Sequence, residues 1–377
     1  MPETRRNADL HVSSGNKPRW NQPATRRHGF HNAHRMFRRA LSLRAAEQVV
    51  LEEAEDAALA ARNEVAMLTG RAEFSALVVA EGGRLLLARH AADFPADQPH
   101  SIQSISKLTM HLIASRLIAE GRLDPAHMVE RYVPEIGSGF RGAQVQDVLD
   151  MNVINHFSED YDDPYAEVYA EEEALGFRLP EPGREEPTML SFLCGITGDD
   201  LRNPGDTIRY SSANTDLLTV ICDRLCPGAL PGMLEEIAEA AGVEGCFHMS
   251  LSRKGLPAFS GGGCLTATDL ARFGLLLVRV AQGTEARVGD TARTRSALSR
   301  THRHLPAPRD HIRYADQMMT DGRWIGHSGY GGQFLMADTV SGRVVAYLSV
   351  LENESAFSAE YMADTIAAME ALLPPLG

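Results

Sequence analysis

Two spacings of apolar residues alternate along this chain, and their order sketches an architecture. Between residues 74 and 89 the apolar run Phe74, Ala76, Leu77, Val78, Val79 breaks at Gly82-Gly83 and resumes at Leu85, Leu86 and Leu87, which predicts strand, turn and strand. Leu108, Leu112, Ile113 and Leu117 then recur at helical spacing and Gly121 closes the run, predicting a mostly buried helix over 105–120. Shorter helical patterns follow over 145–151, 189–196, 217–225 and 233–241. Thr266-Ala267-Thr268-Asp269 resembles a capping box, so Gly261-Gly262-Gly263 is expected as a tight turn into a helix that ends near 280. Strand patterns return over 323–326, 334–337 and 344–350, and a last helix over 359–373 is stopped by Pro374. Ahead of all this, an Ala/Glu-rich stretch without Gly or Pro predicts a helix over 43–68.

Strands at both ends with helices between them imply an α/β (α+β) fold with a discontinuous sheet domain, 44–98 and 262–377, and a helical domain over 99–261. Residues 1–43 form an Arg-rich arm, with Trp20, Phe30 and Phe37 available to hold it to the body. Within the helical part, 155–187 reads as a long irregular insert, the kind that serves as a lid or substrate wall. It is strongly acidic, carrying Glu159, Asp160, Asp162, Asp163, Glu167, Glu171, Glu172 and Glu173, which reads first as a solvated face and second as a receiver for a substrate ammonium.

Composition narrows the choices. A length of 377 residues with 44% hydrophobic residues can bury a large core, and a net charge of −13 argues against nucleic acid as a partner. No stretch approaches a membrane span or a signal-peptide core, and Glu3 and Asp9 weigh against an organelle-targeting start, so a cytoplasmic location is the expectation. The five cysteines have no metal spacing; Cys222 and Cys226 lie four apart in a helical pattern, and free, reduced thiols are expected. His302, His304 and His311 have no framing acid or cysteine and read as a surface loop, so neither metal nor cofactor is expected.

Candidate chemistry lies at the start of the buried helix. Ser104 and Lys107 fall on one helical face, where a lysine freed of its proton by desolvation can activate a serine hydroxyl and the helix start offers backbone N–H groups to an oxyanion. Alone the spacing also fits a helix-cap serine with a surface lysine. A second copy, Ser14 and Lys17, opens no apolar helix and is set aside. Downstream stand Tyr210-Ser211-Ser212-Ala213-Asn214 before an apolar helix, and Gly326-His327-Ser328-Gly329-Tyr330 between two strand patterns. The latter nearly spells the Gly-x-Ser-x-Gly nucleophile elbow, but Tyr330 fills the last glycine position and a strand, not a helix, follows.

Ser-x-x-Lys, then Tyr-x-Ser, then His-Ser-Gly, in this order, resembles the motif set of the penicillin-recognising serine hydrolases of the β-lactamase-like superfamily. The class C β-lactamases, D-peptidases and their esterase and amidase relatives belong there. The phrases 157–164, 214–218 and 266–273 look most like the 6-aminohexanoate-dimer hydrolase branch. The resemblance implies an antiparallel sheet flanked by terminal helices, with the active site between it and a helical domain. It implies Ser104 as nucleophile, Lys107 and Tyr210 as general base and acid, the N–H groups of Ser104 and Tyr330 as oxyanion hole, and Ser212, His327 and Gly329 as substrate-binding residues. Ser212 stands where many relatives carry Asn, which puts the binding of an acyl amide oxygen in doubt. His327 replaces a lysine, and a mostly neutral histidine shifts the expected substrate from β-lactams toward esters or uncharged linear amides. The expected reaction is hydrolysis of such a small molecule through an acyl-enzyme. Transfer of the acyl group to another acceptor, covalent capture without turnover and a non-catalytic scaffold are the alternatives. No nucleic-acid or membrane partner is expected, and a homodimer is allowed for.

Overall fold

The computed structural model describes residues 21–375, apart from positions 164, 179, 181, 182 and 301. Ser14, Lys17, Trp20 and the first arginines of the arm lie outside the described residues. Twelve described strands form two sheets: β1 Ala40–Leu43, β2 Glu52–Glu53, β3 Phe74–Glu81, β4 Arg84–His90, β5 His100–Ser101, β6 Phe247–Ser250, β7 Gly263–Leu265, β8 Arg313–Ala315, β9 Met318–Thr320, β10 Trp324–Gly329, β11 Gln333–Asp338 and β12 Arg343–Ser349. The larger sheet runs β2-β4-β3-β12-β11-β10-β9-β8 and is antiparallel except between β2 and β4. The smaller, ordered β1-β6-β7-β5, is antiparallel throughout.

The two ends of the chain meet in the middle of the larger sheet, where Val345 of β12 lies opposite Val79 of β3 and Tyr347 opposite Leu77. Successive strand side chains point to opposite faces. Ala76, Val78, Val344, Ala346, Leu335 and Ala337 therefore enter one core cluster, and Leu77, Val79, Val345, Tyr347, Phe334 and Met336 the other. Burial on both faces is why these strands read as unbroken apolar runs in the sequence. The Ala267–Gln282 helix covers the first face. Its Gly274 sits so close to the sheet that a Cβ there would come within 2.5 Å of Val344 Cγ1. The Asn63–Thr69 and Ala359–Ala371 helices cover the second through Val65, Leu68, Met362, Ile366 and Met369.

Several expectations need correction. The single helix over 43–68 does not form. Residues 40–43 pair with β6, the Val49 N–H donates to Gly242 O at 2.9 Å, and β2 lies along β4, leaving only the short helices Ala57–Ala60 and Asn63–Thr69. Helix propensity is worth only a few tenths of a kcal/mol per residue, and hydrogen bonding to neighbouring elements overrides it. Gly263 belongs to β7 rather than to a turn. Thr266 does cap its helix, accepting from the Asp269 N–H at 3.0 Å, but the Asp269 carboxylate is engaged by the Glu244 and Gly245 N–H groups and by Arg272 instead of completing the box. The acidic insert contains the helix Val168–Ala174, which turns Glu171, Glu172 and Glu173 inward to buried positions, so these three are not a solvated face. The helices Pro23–Met36 and Thr291–Ser299 and the β8–β9 pair carry no signal recognised in the sequence. Among the described residues no single helix is long and apolar enough to cross a membrane.

Candidate active site

Ser104 lies in the 3-10 turn Gln103–Ser106, which runs directly into the helix Lys107–Ala119. Gln103 takes a left-handed backbone conformation, φ 49°, which costs a side-chain-bearing residue about 1–2 kcal/mol. Three hydrogen bonds hold that conformation. Gln103 Nε2 donates to Ser101 Oγ at 2.7 Å, Ser106 Oγ to Gln103 O at 2.7 Å, and the Gly263 N–H to Ser106 Oγ at 3.0 Å. One turn on, Lys107 is fully buried and its Nζ donates to Ser104 Oγ at 3.0 Å, Ser212 Oγ at 2.9 Å and Ser260 O at 2.6 Å. Three oxygens thus surround Nζ, and a neutral amine can donate its two N–H groups to Ser212 Oγ and Ser260 O while its lone pair faces the Ser104 hydroxyl.

Ser212 is the first residue of the Ser212–Leu225 helix, and the extended residues before it place the Tyr210 ring centroid 5.0 Å from Lys107 Nζ. The ring opens to the cavity while its hydroxyl faces Ser104 and Lys107; burial pushes the phenol's pKa up and the lysine charge pulls it back. Asn214, the other amide near this motif, turns away and donates to Met151 Sδ at 3.3 Å.

The third segment reaches the site through β10. A Cβ on Gly329 would come 2.7 Å from Ile102 O and 2.9 Å from Gln103 Cβ, so only glycine lets this strand end lie against the nucleophile turn. His327 points elsewhere. It is buried behind the cavity wall, where Nδ1 lies 2.6 Å from Ser328 O and Nε2 3.2 Å from the Tyr314 hydroxyl. A carbonyl only accepts, so Nδ1 carries the hydrogen and Nε2 accepts from Tyr314. Burial, reinforced by Lys107, lowers the His327 pKa to about 3, and the ring is neutral.

A cavity of about 490 Å³ opens over these groups. Ser104, Tyr210, Ser212, Gly329 and Tyr330 line it, Lys107 sits beneath the wall, and His327 lies behind it. Sequence reasoning missed other wall residues. Ala33, Met36 and Phe37 come from the arm, the Tyr161 ring packs 4.5 Å from that of Tyr330, and Ser260 supplies the carbonyl under Lys107. Glu159, Asp160, Asp162, Glu171 and Glu172 also face the cavity. Behind them the Glu171 carboxyl meets the fully buried Asp216; burial and their mutual repulsion push Glu171 well up, and burial raises Asp216 to about 6. An aspartate opening an apolar helix was the one sequence signal for this pair. No group of three or more His, Cys, Asp or Glu among the described residues is arranged to hold a metal.

With this geometry in hand, comparisons place the chain. It is 34% identical over 205 residues to the 6-aminohexanoate-dimer hydrolase of Paenarthrobacter ureafaciens, a match covering 54% of this chain and 51% of that protein. The match thus spans about half the length of that relative. Among solved structures, a Bacillus anthracis protein assigned to the 6-aminohexanoate-dimer hydrolases superposes with a TM-score of 0.77 at 18% identity, covering 98% of this chain and 97% of its own. A D-stereospecific amidohydrolase from a Streptomyces species gives 0.58 at 16% identity over 82% of this chain and 98% of its own. EstCE1, a hydrolase with promiscuous acyltransferase activity, gives 0.59 at 17% identity over 81% and 95%. At these identities the structural likeness speaks for the fold. The sequence model of the beta-lactamase family matches residues 55–368, and the chain belongs to that family.

Proposed function

We propose that this protein is a serine hydrolase that cleaves a carboxylic ester or a linear amide through an acyl-enzyme on Ser104. The observation that carries the reading is the junction at Lys107 Nζ, 3.0 Å from Ser104 Oγ and 2.9 Å from Ser212 Oγ, with the Tyr210 ring over it. Lys107 acts in its neutral form, and as Ser104 Oγ bonds to the substrate carbonyl carbon its proton passes to the lysine lone pair. Tyr210, kept protonated by burial, donates to the departing oxygen or nitrogen as that bond breaks. The N–H groups of Ser104 and Tyr330 hold the oxyanion, and Gly329 lets the strand end that precedes Tyr330 come close enough for this role. Water then attacks the acyl-enzyme with the proton transfers reversed. The amidohydrolase and the hydrolase with promiscuous acyltransferase activity among the structural neighbours support hydrolysis without choosing between the two bond types.

The test is steady-state turnover of p-nitrophenyl esters of graded chain length by wild type, Ser104→Ala and Ser14→Ala. Loss of at least about a thousandfold in Ser104→Ala alone is expected. A single burst without turnover would point to covalent capture, and enhanced release in the presence of an added alcohol to acyl transfer. Full activity of Ser104→Ala would refute the assignment.

A further inference from the structure

The acidic insert reaches beneath Lys107 through one residue, Glu171. Glu171, Asp216 and Ser260 come from three distant segments, the helices Val168–Ala174 and Ser212–Leu225 and the loop ahead of β7, and all three are buried. Asp216 stands one turn beyond Ser212 on the same face of its helix, and its carboxyl lies against both the Glu171 carboxyl and the Ser260 hydroxyl. Ser260 in turn presents its carbonyl to Lys107 Nζ at 2.6 Å, and Ser212 Oγ stands 2.9 Å from the same nitrogen. The lysine thus rests on two serines that both adjoin Asp216.

Among the described residues, both Asp216 oxygens, Glu171 Oε1 and Ser260 Oγ are buried without a well-formed hydrogen bond. Two ionised carboxylates only accept, so they repel where these two meet. A carboxyl that keeps its proton donates to the other, and the serine hydroxyl can rotate to donate as well. One proton on the pair therefore satisfies it and leaves a single negative charge. Burial and repulsion push Glu171 well up, and burial raises Asp216 to about 6, in keeping with a proton held near neutrality. The other titratable groups facing the pair are Glu159 and Tyr161 of the insert and Lys107 itself; Glu172, next in the chain, is paired with Arg178.

That charge bears on the reaction. Lys107 acts as a neutral amine in the reading above, and a carboxylate near it favours the ammonium instead. Two charges would oppose the neutral form more strongly than one. We propose that Glu171 and Asp216 share one proton and act as a positioning pair for Lys107, Asp216 anchoring Ser260 beneath Nζ while the shared proton limits the charge that opposes a neutral lysine. The pair thereby sets the pH at which the enzyme becomes active.

This inference rests on the hydrolase reading, and the experiment separates the two. One measures the pH profile of kcat/KM for p-nitrophenyl butanoate with wild type, Glu171→Gln and Asp216→Asn. Glutamine is a neutral, donating isostere of protonated glutamate, so Glu171→Gln keeps the pair's charge, and its ascending limb should stay within about 0.3 pH units of wild type. Asp216→Asn removes the charge, since burial still keeps Glu171 protonated, and its limb should move to lower pH by about one unit. Any other pattern overturns the proposal. Equal movement in both variants would mean that Glu171 is ionised in wild type, and movement in neither that the pair does not act on Lys107. If wild type hydrolyses none of the graded esters, the hydrolase reading fails and infrared spectroscopy at neutral pH decides this one. A protonated-carboxyl C=O band present in wild type and lost in Glu171→Gln would uphold the shared proton; spectra without that difference would sink it. Should either variant fail to fold by circular dichroism, Asp216→Ser or Glu171→Thr takes its place.

Discussion

At the scale of single residues, the site is shaped by what burial does to each polar group. Lys107 is out of water but fully partnered, whereas His327 is out of water and neutral. The histidine yields a signed prediction. Its pKa is depressed from 6.5 to about 3 in the folded state, so between those values the unfolded chain holds a proton that the native one lacks. Native stability should therefore be lost as pH falls through this window, by up to about 1.4 kcal/mol per pH unit from this residue. Denaturant unfolding of wild type and His327→Asn at several pH values isolates it. The stability difference should be flat above pH 6.5 and shift against wild type below it; a difference independent of pH would mean the ring is not held neutral. Residue types and spacing made Ser104, Lys107, Tyr210 and Ser212 legible in the sequence. The inward turn of His327 was not legible, because a strand position says which face a side chain takes but not what lies behind that face.

At the scale of elements, the N-terminal helix Pro23–Met36 matters more than an Arg-rich arm suggested. It forms part of the cavity wall and is pinned by Arg26, whose buried guanidinium donates to Leu351 O at 2.7 Å, Asn353 O at 2.6 Å, Glu354 O at 3.2 Å and Asn21 Oδ1 at 2.8 Å. Arg26→Ala strands these acceptors and should cost about 2–4 kcal/mol of docking. The check is amide hydrogen exchange across the helix together with kinetics. Protection of 23–36 should fall and KM should rise more than kcat drops, while unchanged exchange would mean that the helix is held by apolar contacts alone. The acidic segment teaches the same lesson. Its charges were visible, but the helix that buries Glu171 against Asp216 arises from packing against the Met189–Gly195 helix and the body, not from local propensity.

At the scale of the whole molecule, the five cysteines are all free, with Cys222, Cys226 and Cys264 buried. Thermal unfolding should give the same midpoint with and without dithiothreitol. A downward shift on reduction would reveal a covalent link that this fold does not contain.

The sequence by itself determined the strand-rich ends and helical middle, because apolar runs and helical periodicity are local consequences of burial on two faces or on one. It also determined the order of the three motif segments and the family that they resemble. The tertiary structure alone decided what those segments do to one another. It breaks the stretch 43–68 to complete two sheets, sets His327 behind the cavity and folds Glu171 against Asp216. The reason is physical: propensity and patterning act over a few residues at a few tenths of a kcal/mol each, whereas burial and charge pairing depend on which distant segments meet.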